Sequence, residues 1–411
     1  MAVAQLELFG SVMHAYGGAH EVRNEDLYEG LVRTGVVDAG EIDATSPVGR
    51  AAQRHSLGKR KVRWIQQTLR QLGVIERVPG RRGVWRAVAK KELDKAPRNL
   101  VRVAFSTDLG LALWSDCSAF RRIDEPIHLI LSSPPYPLSK ARAYGGPSVK
   151  EYTEFICRSI EPLLRNLVPG GSLCLNLSND IFLAGSPARS TYLERLTIAL
   201  EDMNLVLMDR LVWENPSKPP GPTYWACKER VQLVHTWEPV LWMTNDPTRC
   251  FADNRRVLRP HSEATSKLIA SGGERRSTSY GDGAHRLRPG SFGAETAGTI
   301  PRNVLRIPHE ASSIASTRQA ALDSGLPAHG AIMPRELARF LIEFLTPPEA
   351  VIADLYSGWC TTATQAEATG RRWICTEQMA QYLAVGAWRL QDAPGFHSSF
   401  DLCRVGTDRR S

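Results

Sequence analysis

At 411 residues the chain exceeds one typical domain, so two or three folded units are expected. Hydrophobic residues make up 43% and charged ones 23%, a globular balance that can bury a sizeable core. No apolar run is long enough to span a bilayer, and Met1 to Gly10 lacks the basic start and long apolar stretch of a secretory signal, so a cytoplasmic protein is expected. The eight cysteines are scattered with no C-x-x-C pair, which argues against a zinc site or a disulfide framework and leaves no metal expected.

The net charge of +8 is unevenly placed. Residues 54–91 hold twelve Lys/Arg and a single acid, Glu76, so this stretch alone carries +11. Such density points to a polyanion partner. Residues 1–95 read as a separate module. Asn24 is placed to cap a short helix through Leu27, Tyr28 and Leu31. Val62, Ile65, Leu69 and Leu72 recur at helical spacing, and Gly73 can end that helix. Val74-Ile75 and Val84-Trp85 then flank Pro79-Gly80-Arg81-Arg82-Gly83, a hairpin signal. A helix followed by a basic hairpin resembles a winged helix. Lys59, Arg60, Lys61, Arg63 and Arg70 would lie near the helix, Arg81 and Arg82 at the wing tip, all as candidate phosphate contacts.

From about residue 100 strands alternate with helices, the pattern of an α/β sheet with crossover connections. Ile127 to Leu131 is a short apolar run suited to a strand buried on both faces. A helix is expected between Tyr152 and Leu167, then a turn at Pro169-Gly170-Gly171 and a strand over Leu173 to Leu177. Val206 to Val212 and Val240 to Met243 are further candidate strands. Residues 245–325 break the pattern, being rich in Gly, Ser, Arg and Pro with no sustained period. Between Arg249 and Arg306 there are eleven Lys/Arg against five acids, and a long irregular segment inside an enzyme is often functional. Leu337, Phe340, Leu341, Phe344 and Leu345 then predict an amphipathic helix, followed by the strand Ala350 to Ala353.

Two motifs carry chemistry. In the first, the apolar strand runs into Ser132-Ser133-Pro134-Pro135-Tyr136. Two prolines stop a strand abruptly, because each removes a donor and fixes φ. Ligands sit at the carboxyl ends of strands in open α/β sheets, so Ser133 and Tyr136 are presented rigidly at a crevice. The second motif runs Asp354-Leu355-Tyr356-Ser357-Gly358-Trp359-Cys360-Thr361-Thr362, then Arg372-Trp373-Ile374-Cys375-Thr376-Glu377. It reads strand, tight turn, helix, second strand and an acid 19 residues after Gly358. That layout suits a nucleotide-like cofactor, whose ribose hydroxyls the acid accepts.

Together the motifs resemble the amino-methyltransferases of DNA in which the catalytic motif precedes the cofactor motif, over about residues 113–390. Ser-Pro-Pro-Tyr is the form typical of the cytosine-N4 branch. Leu211 to Pro216, Trp237-Glu238-Pro239-Val240, and His329-Gly330-Ala331-Ile332-Met333-Pro334 are similar to segments of that branch, as are Tyr382 and Arg389. None of the cysteines follows a proline, so the Pro-Cys pair of the cytosine-C5 methyltransferases is missing.

The resemblance implies a Rossmann-like, S-adenosylmethionine-dependent methyltransferase sheet. It divides the chain into a catalytic half (100–244), a target-recognition region (245–325), a cofactor half (326–395) and a tail (396–411). It implies cofactor contacts from Asp354, Tyr356, Ser357, Gly358, Thr361, Glu377, Met333 and Pro334, and more loosely from Asp116. Arg255, Arg256, Arg275 and Arg276 become candidates for phosphate and guanine-edge contacts. The implied partner is double-stranded DNA, methylated at a specific site by an enzyme of the kind paired with a restriction endonuclease or carried by a phage.

The chemistry suits the residues. An exocyclic amine is a poor nucleophile, because its lone pair is delocalised into the ring. The Ser133 hydroxyl and the neighbouring carbonyl can hold its protons and favour pyramidalisation, and Tyr136 can stack on a base flipped from the duplex. An adenine-N6 enzyme is the nearest alternative. A DNA-binding regulator on an inactive methyltransferase fold is another, motivated by Trp359 and Cys360. Trp359 puts bulk where the family has a small residue beside the methionine portion, and Gly330 replaces a proline, so a repacked pocket is expected.

Overall fold

The structure, a computed structural model, describes residues 8, 11–12, 15–16, 21–48, 53–71, 75–78, 80–87, 95–96, 101–138, 146–218, 223–280, 283, 285–309 and 311–398. It divides into two units, residues 1–92 and 93–411. Among the described residues no helix is long and apolar enough to cross a membrane.

The first unit contains β1 (Val22–Arg23), α1 (Asn24–Arg33), α2 (Ala39–Asp43), β2 (Thr45–Val48), β3 (Gln53–Ser56), α3 (Leu57–Gln71), β4 (Ile75–Arg77) and β5 (Val84–Ala87). β4 and β5 form an antiparallel hairpin, and β1 adds to β5 as a third strand. Leu27, Tyr28 and Leu31 of α1 meet Val62 and Ile65 of α3 in one buried cluster with Ile75 and Trp85, as the spacing of these helical residues predicts. Asn24 does not cap α1. It is the first helical residue, and its Oδ1 accepts from Gln66 Nε2 at 2.9 Å, because the buried Gln66 needs a partner. Residues 72–74 and 79, with the side chain of Leu69, lie outside the described residues.

The second unit is built on a ten-stranded sheet. In chain order its strands and helices begin with β6 (Arg102–Ser106), β7 (Gly110–Trp114), β8 (Ile127–Ser132), α4 (Tyr152–Leu164), β9 (Leu167–Asn176), α5 (Tyr192–Glu201), β10 (Val206–Glu214) and β11 (Trp237–Thr244). They continue with α6 (Glu263–Ala270), the hairpin β12 (Thr278–Tyr280) and β13 (His285–Leu287), β14 (Val304–Arg306), α7 (Ala311–Asp323) and α8 (Arg335–Leu345). β15 (Val351–Asp354), α9 (Thr361–Ala368), β16 (Arg372–Glu377), α10 (Ala380–Leu390) and β17 (His397–Ser398) complete the unit. The sheet order is β14-β10-β11-β9-β8-β15-β16-β7-β6-β17.

Neighbours from β9 through β8, β15 and β16 to β7 are parallel. From β8 the chain moves outward to β9, whereas from β15 it moves the other way to β16. The carboxyl ends of β8 and β15 therefore flank the point where the strand order reverses, the usual ligand crevice of such sheets. Along β8, Leu129 and Leu131 pack into one core cluster while Ile127 and Ile130 pack into the cluster on the opposite face. Burial on both faces explains the apolar run, which only the half-buried His128 interrupts.

Two expectations need correction. The segment Pro169-Gly170-Gly171 is not a turn before a strand but lies within β9, which begins at Leu167, three residues after α4 ends. Gly170 has φ +85°, and a Cβ there would sit 2.0 Å from the carbonyl oxygen of Arg249. Gly170→Ala is accordingly expected to destabilise the protein by about 2–4 kcal/mol, read as a lower denaturant midpoint. The region 245–325 is not without regular structure, since β14 joins the main sheet beside β10 and α6, α7 and β12–β13 are formed. α7 carries Ser, Thr and Ala where an apolar stripe would announce a helix, so its period is invisible. The tail begins with β17, paired to β6, and residues 399–411 lie outside the described residues.

Candidate active site

The Ser133-Pro134-Pro135-Tyr136 segment leaves the end of β8, and Asp354 ends β15 beside it. Ser132 Oγ donates to Asp354 Oδ1 at 2.7 Å, a buried bond that ties the two motifs together. Asp354 Oδ1 also accepts from the Tyr356 amide at 3.1 Å, and burial pushes its carboxyl above the usual range. The turn that follows is fastened by Ser357 N to Thr376 O at 3.0 Å. Gly358 has φ +51°, and a Cβ there would stand 2.8 Å from His329 Nε2, so only glycine fits this approach. Cys360 adopts φ +57° immediately before α9.

Glu377 ends β16. Its Oε2 accepts from Gly358 N at 2.9 Å and its Oε1 from Met379 N at 2.8 Å. Enclosure of the carboxyl raises its pKa from 4.5 to about 7, against the lowering effect of those amides and with a further rise from Asp354.

These residues line one cavity of about 310 Å³. Ser133, Pro134, Pro135 and Tyr136 form one side, and Asp354, Tyr356, Ser357, Gly358, Thr361 and Glu377 the other. His329, Ala331, Ile332 and Met333 close it with a largely apolar wall. Pro334 is the exception among the expected cofactor residues: it does not line the cavity but precedes α8 as its cap. Asp116 is likewise a local cap, accepting from Ser118 N at 2.9 Å, because an aspartate before a helical turn satisfies the nearest free amide. Trp359 is 2% exposed and packs with Ala321, Met379, Tyr382 and Val385, and it also contributes to the cavity wall beside His329. Its Nε1 is buried with no hydrogen-bond partner among the described residues.

Behind the tetrapeptide lies a polar network that sequence reasoning missed. Tyr136 Oη donates to Glu238 Oε2 at 3.0 Å and accepts from Asn176 Nδ2 at 3.0 Å. Ser133 Oγ is 3.4 Å from Tyr136 Oη. Lys218 Nζ reaches Glu238 Oε1 at 3.3 Å and His235 Nδ1 at 3.0 Å. Burial, then the Lys218 charge, lowers the His235 pKa to about 4, so the ring accepts from lysine as neutral imidazole. Burial and the nearby Glu238 carboxylate push the Tyr136 phenol well above its ordinary value, and it stays protonated. Lys95, Phe155, Gln378 and Tyr382 also line the cavity.

The candidate DNA-binding residues differ in availability. Arg60, Arg82, Arg275 and Arg276 are exposed. Lys59 lies 5.5 Å over the Tyr28 ring, Arg63 Nε donates to Tyr28 Oη at 3.2 Å, and Lys61 pairs with Glu41 at 2.9 Å. Arg81 pairs with Glu21, and Arg255 with Asp253 at 2.8 Å, all four groups in contact with water. Arg256 is held differently: its guanidinium donates to the carbonyls of Phe251 and Phe344, joining the segment to α8. Charge is visible in a sequence; the direction of a long side chain is not.

Residues 127–387 match the DNA methylase family model for N6- and N4-methyltransferases. The type II methyltransferase M.PvuII of Proteus hauseri is 30% identical over 270 residues, covering 66% of this chain and 79% of that protein. The type II methyltransferase M.BglII of Bacillus subtilis is 24% identical over 278 residues, 67% of each chain. Among solved structures, PvuII DNA methyltransferase (cytosine-N4-specific) superposes with a TM-score of 0.54 at 26% identity, covering 70% of this chain and 88% of that one. The matched span takes in both the strand-end tetrapeptide and the acidic turn opposite it, and the chain belongs to the N6/N4 DNA methylase family.

Proposed function

We propose that this chain transfers a methyl group from S-adenosylmethionine to the exocyclic N4 amine of cytosine in duplex DNA, the base being swung out of the helix into the cavity. The observation that carries this reading is the shared cavity, in which Ser133 and Tyr136 face the Asp354–Glu377 cradle. The cradle fits the cofactor. Each Glu377 oxygen holds one backbone amide and retains capacity for ribose hydroxyls, and the turn at Gly358 has no Cβ to obstruct approach. S-adenosylmethionine, when bound, supplies a methyl group on a sulfonium, a good leaving group.

The protein's own part is positioning. Ser133 Oγ and the adjacent carbonyl accept hydrogen bonds from the amine N–H groups and localise its lone pair, while Tyr136 stacks on the base. Cytosine is preferred to adenine because serine leads the tetrapeptide and because the PvuII relative is named as cytosine-N4-specific. The first unit, read as a winged helix, grips phosphates through Lys59, Arg60, Lys61, Arg63, Arg81 and Arg82. Residues 245–325 read the site, with Arg255, Arg275 and Arg276 as contacts. A restriction endonuclease of the same specificity is the cellular partner suggested by the type II relatives.

Purified protein incubated with labelled cofactor and mixed DNA, followed by digestion to nucleosides, is expected to yield N4-methylcytosine. Methyladenine alone overturns the choice of base. DNA binding without transfer favours a regulator on an inactive fold.

A further inference from the structure

The segment between β10 and β11 exposes an unusual amount of apolar surface. Leu233 is 87% exposed, Val231 58%, Tyr224 52% and Val234 47%. A run of large apolar side chains facing water is informative where a single one is not. The segment beneath them is held: Glu229 N donates to Tyr224 O at 2.9 Å, Val231 N to Trp225 O at 2.9 Å, and the Gln232 side-chain Nε2 to Pro187 O at 3.0 Å. Tyr224 and Trp225 pack edge to face at 4.8 Å.

The root of the segment is the catalytic network itself. Two residues after Leu233, His235 is 3% exposed and bonded to Lys218, which reaches the carboxylate that holds Tyr136. Lys228 and Arg230 are exposed just before the apolar tip, with the exposed Glu229 between them, and offer charge to a phosphate there.

We propose that Leu233 is a wedge that enters the DNA duplex at the position vacated by the extruded target base. The inference rests on the base-extrusion reading above. Removing a base from the stack leaves an unfilled gap between its neighbours, and an apolar side chain that fills it restores part of the lost contact. The occupant is duplex DNA rather than a second protein, because the tip is rooted in the residues that hold Tyr136 and two exposed cations, Lys228 and Arg230, precede it on the same segment.

The test needs the methylated position, mapped by sequencing DNA taken to complete methylation by the wild-type protein. A short duplex carrying that site, with 2-aminopurine in place of the target base, reports extrusion as a rise in fluorescence. Leu233→Ala is expected to lose most of that rise and to slow single-turnover methylation of the natural duplex by about tenfold to a hundredfold. Its thermal midpoint and cofactor affinity stay at wild-type values, as suits an exposed position. The rate returns when the target cytosine faces an abasic site, where extrusion costs less. Leu233→Met keeps the wild-type rate. An equal defect on paired and abasic duplexes, no defect, or a changed oligomeric state in sedimentation overturns the wedge. A wild-type protein that gives no fluorescence rise overturns the extrusion reading itself, and the wedge falls with it.

Discussion

Tyr136→Ala is expected to slow methyl transfer by about a hundredfold or more while changing cofactor affinity by less than about threefold. The ring stands at the end of β8, directed by two prolines that leave the backbone little freedom, and lines the cavity opposite the cofactor cradle. Its hydroxyl is fixed at 3.0 Å from both Glu238 and Asn176, so the aromatic face is held before a base arrives. Base–aromatic stacking is worth about 1–3 kcal/mol, and loss of orientation at the reacting amine adds to it. Glu377 and Gly358 belong to other strands and turns, which is why cofactor affinity is spared. Tyr136→Phe keeps the ring and removes the hydroxyl; a loss of about tenfold is expected, because Glu238 retains Lys218 and Asn176 as partners. Single-turnover rates and calorimetric cofactor binding on the three proteins separate the contributions. A full rate in Tyr136→Ala would remove stacking from the mechanism.

The legible part of this site is the part written locally. An apolar run ended by two prolines, and a strand–turn–helix followed by an acid, each declare their geometry within a few residues, and the sheet brings them together at β8 and β15. Asn176, Lys218, His235 and Glu238 were not legible as a group. They come from β9, the β10–β11 connection and β11, and only the antiparallel pairing of β11 with both neighbours makes them one cluster. Ser132 was passed over in favour of Ser133, although the buried bond to Asp354 belongs to Ser132. Gly170 was read as a turn because glycine usually marks one, whereas here a left-handed residue inside a strand lets the Arg249 carbonyl approach. Trp359 departs from the family's pattern, and what accommodates it is tertiary: Ala321 of α7 and Val385 of α10 pack against it.

Cofactor binding is expected to weaken about tenfold per pH unit as pH falls below about 7, with Glu377 as the titrating group. Ribose hydroxyls donate to the ionised carboxylate, so binding favours the charged form and lowers its pKa. Below about 7 the free protein carries the proton, and binding must release it; above that value affinity levels off. Calorimetry in buffers of different ionisation enthalpy counts the released proton directly. Stability of the cofactor-free protein runs the other way. A carboxyl whose folded pKa exceeds its unfolded one binds its proton more tightly when folded, so its stabilising contribution is lost as pH rises from about 4.5 through about 7. Glu377→Gln is expected to lower cofactor affinity by about ten- to a hundredfold at neutral pH, since one amide oxygen replaces two charged acceptors. It also flattens both pH dependences between about pH 5 and about pH 8. Persistence of the wild-type slope in that variant would assign the titration to another group, with Asp354, whose carboxyl burial also raises, as the next to replace.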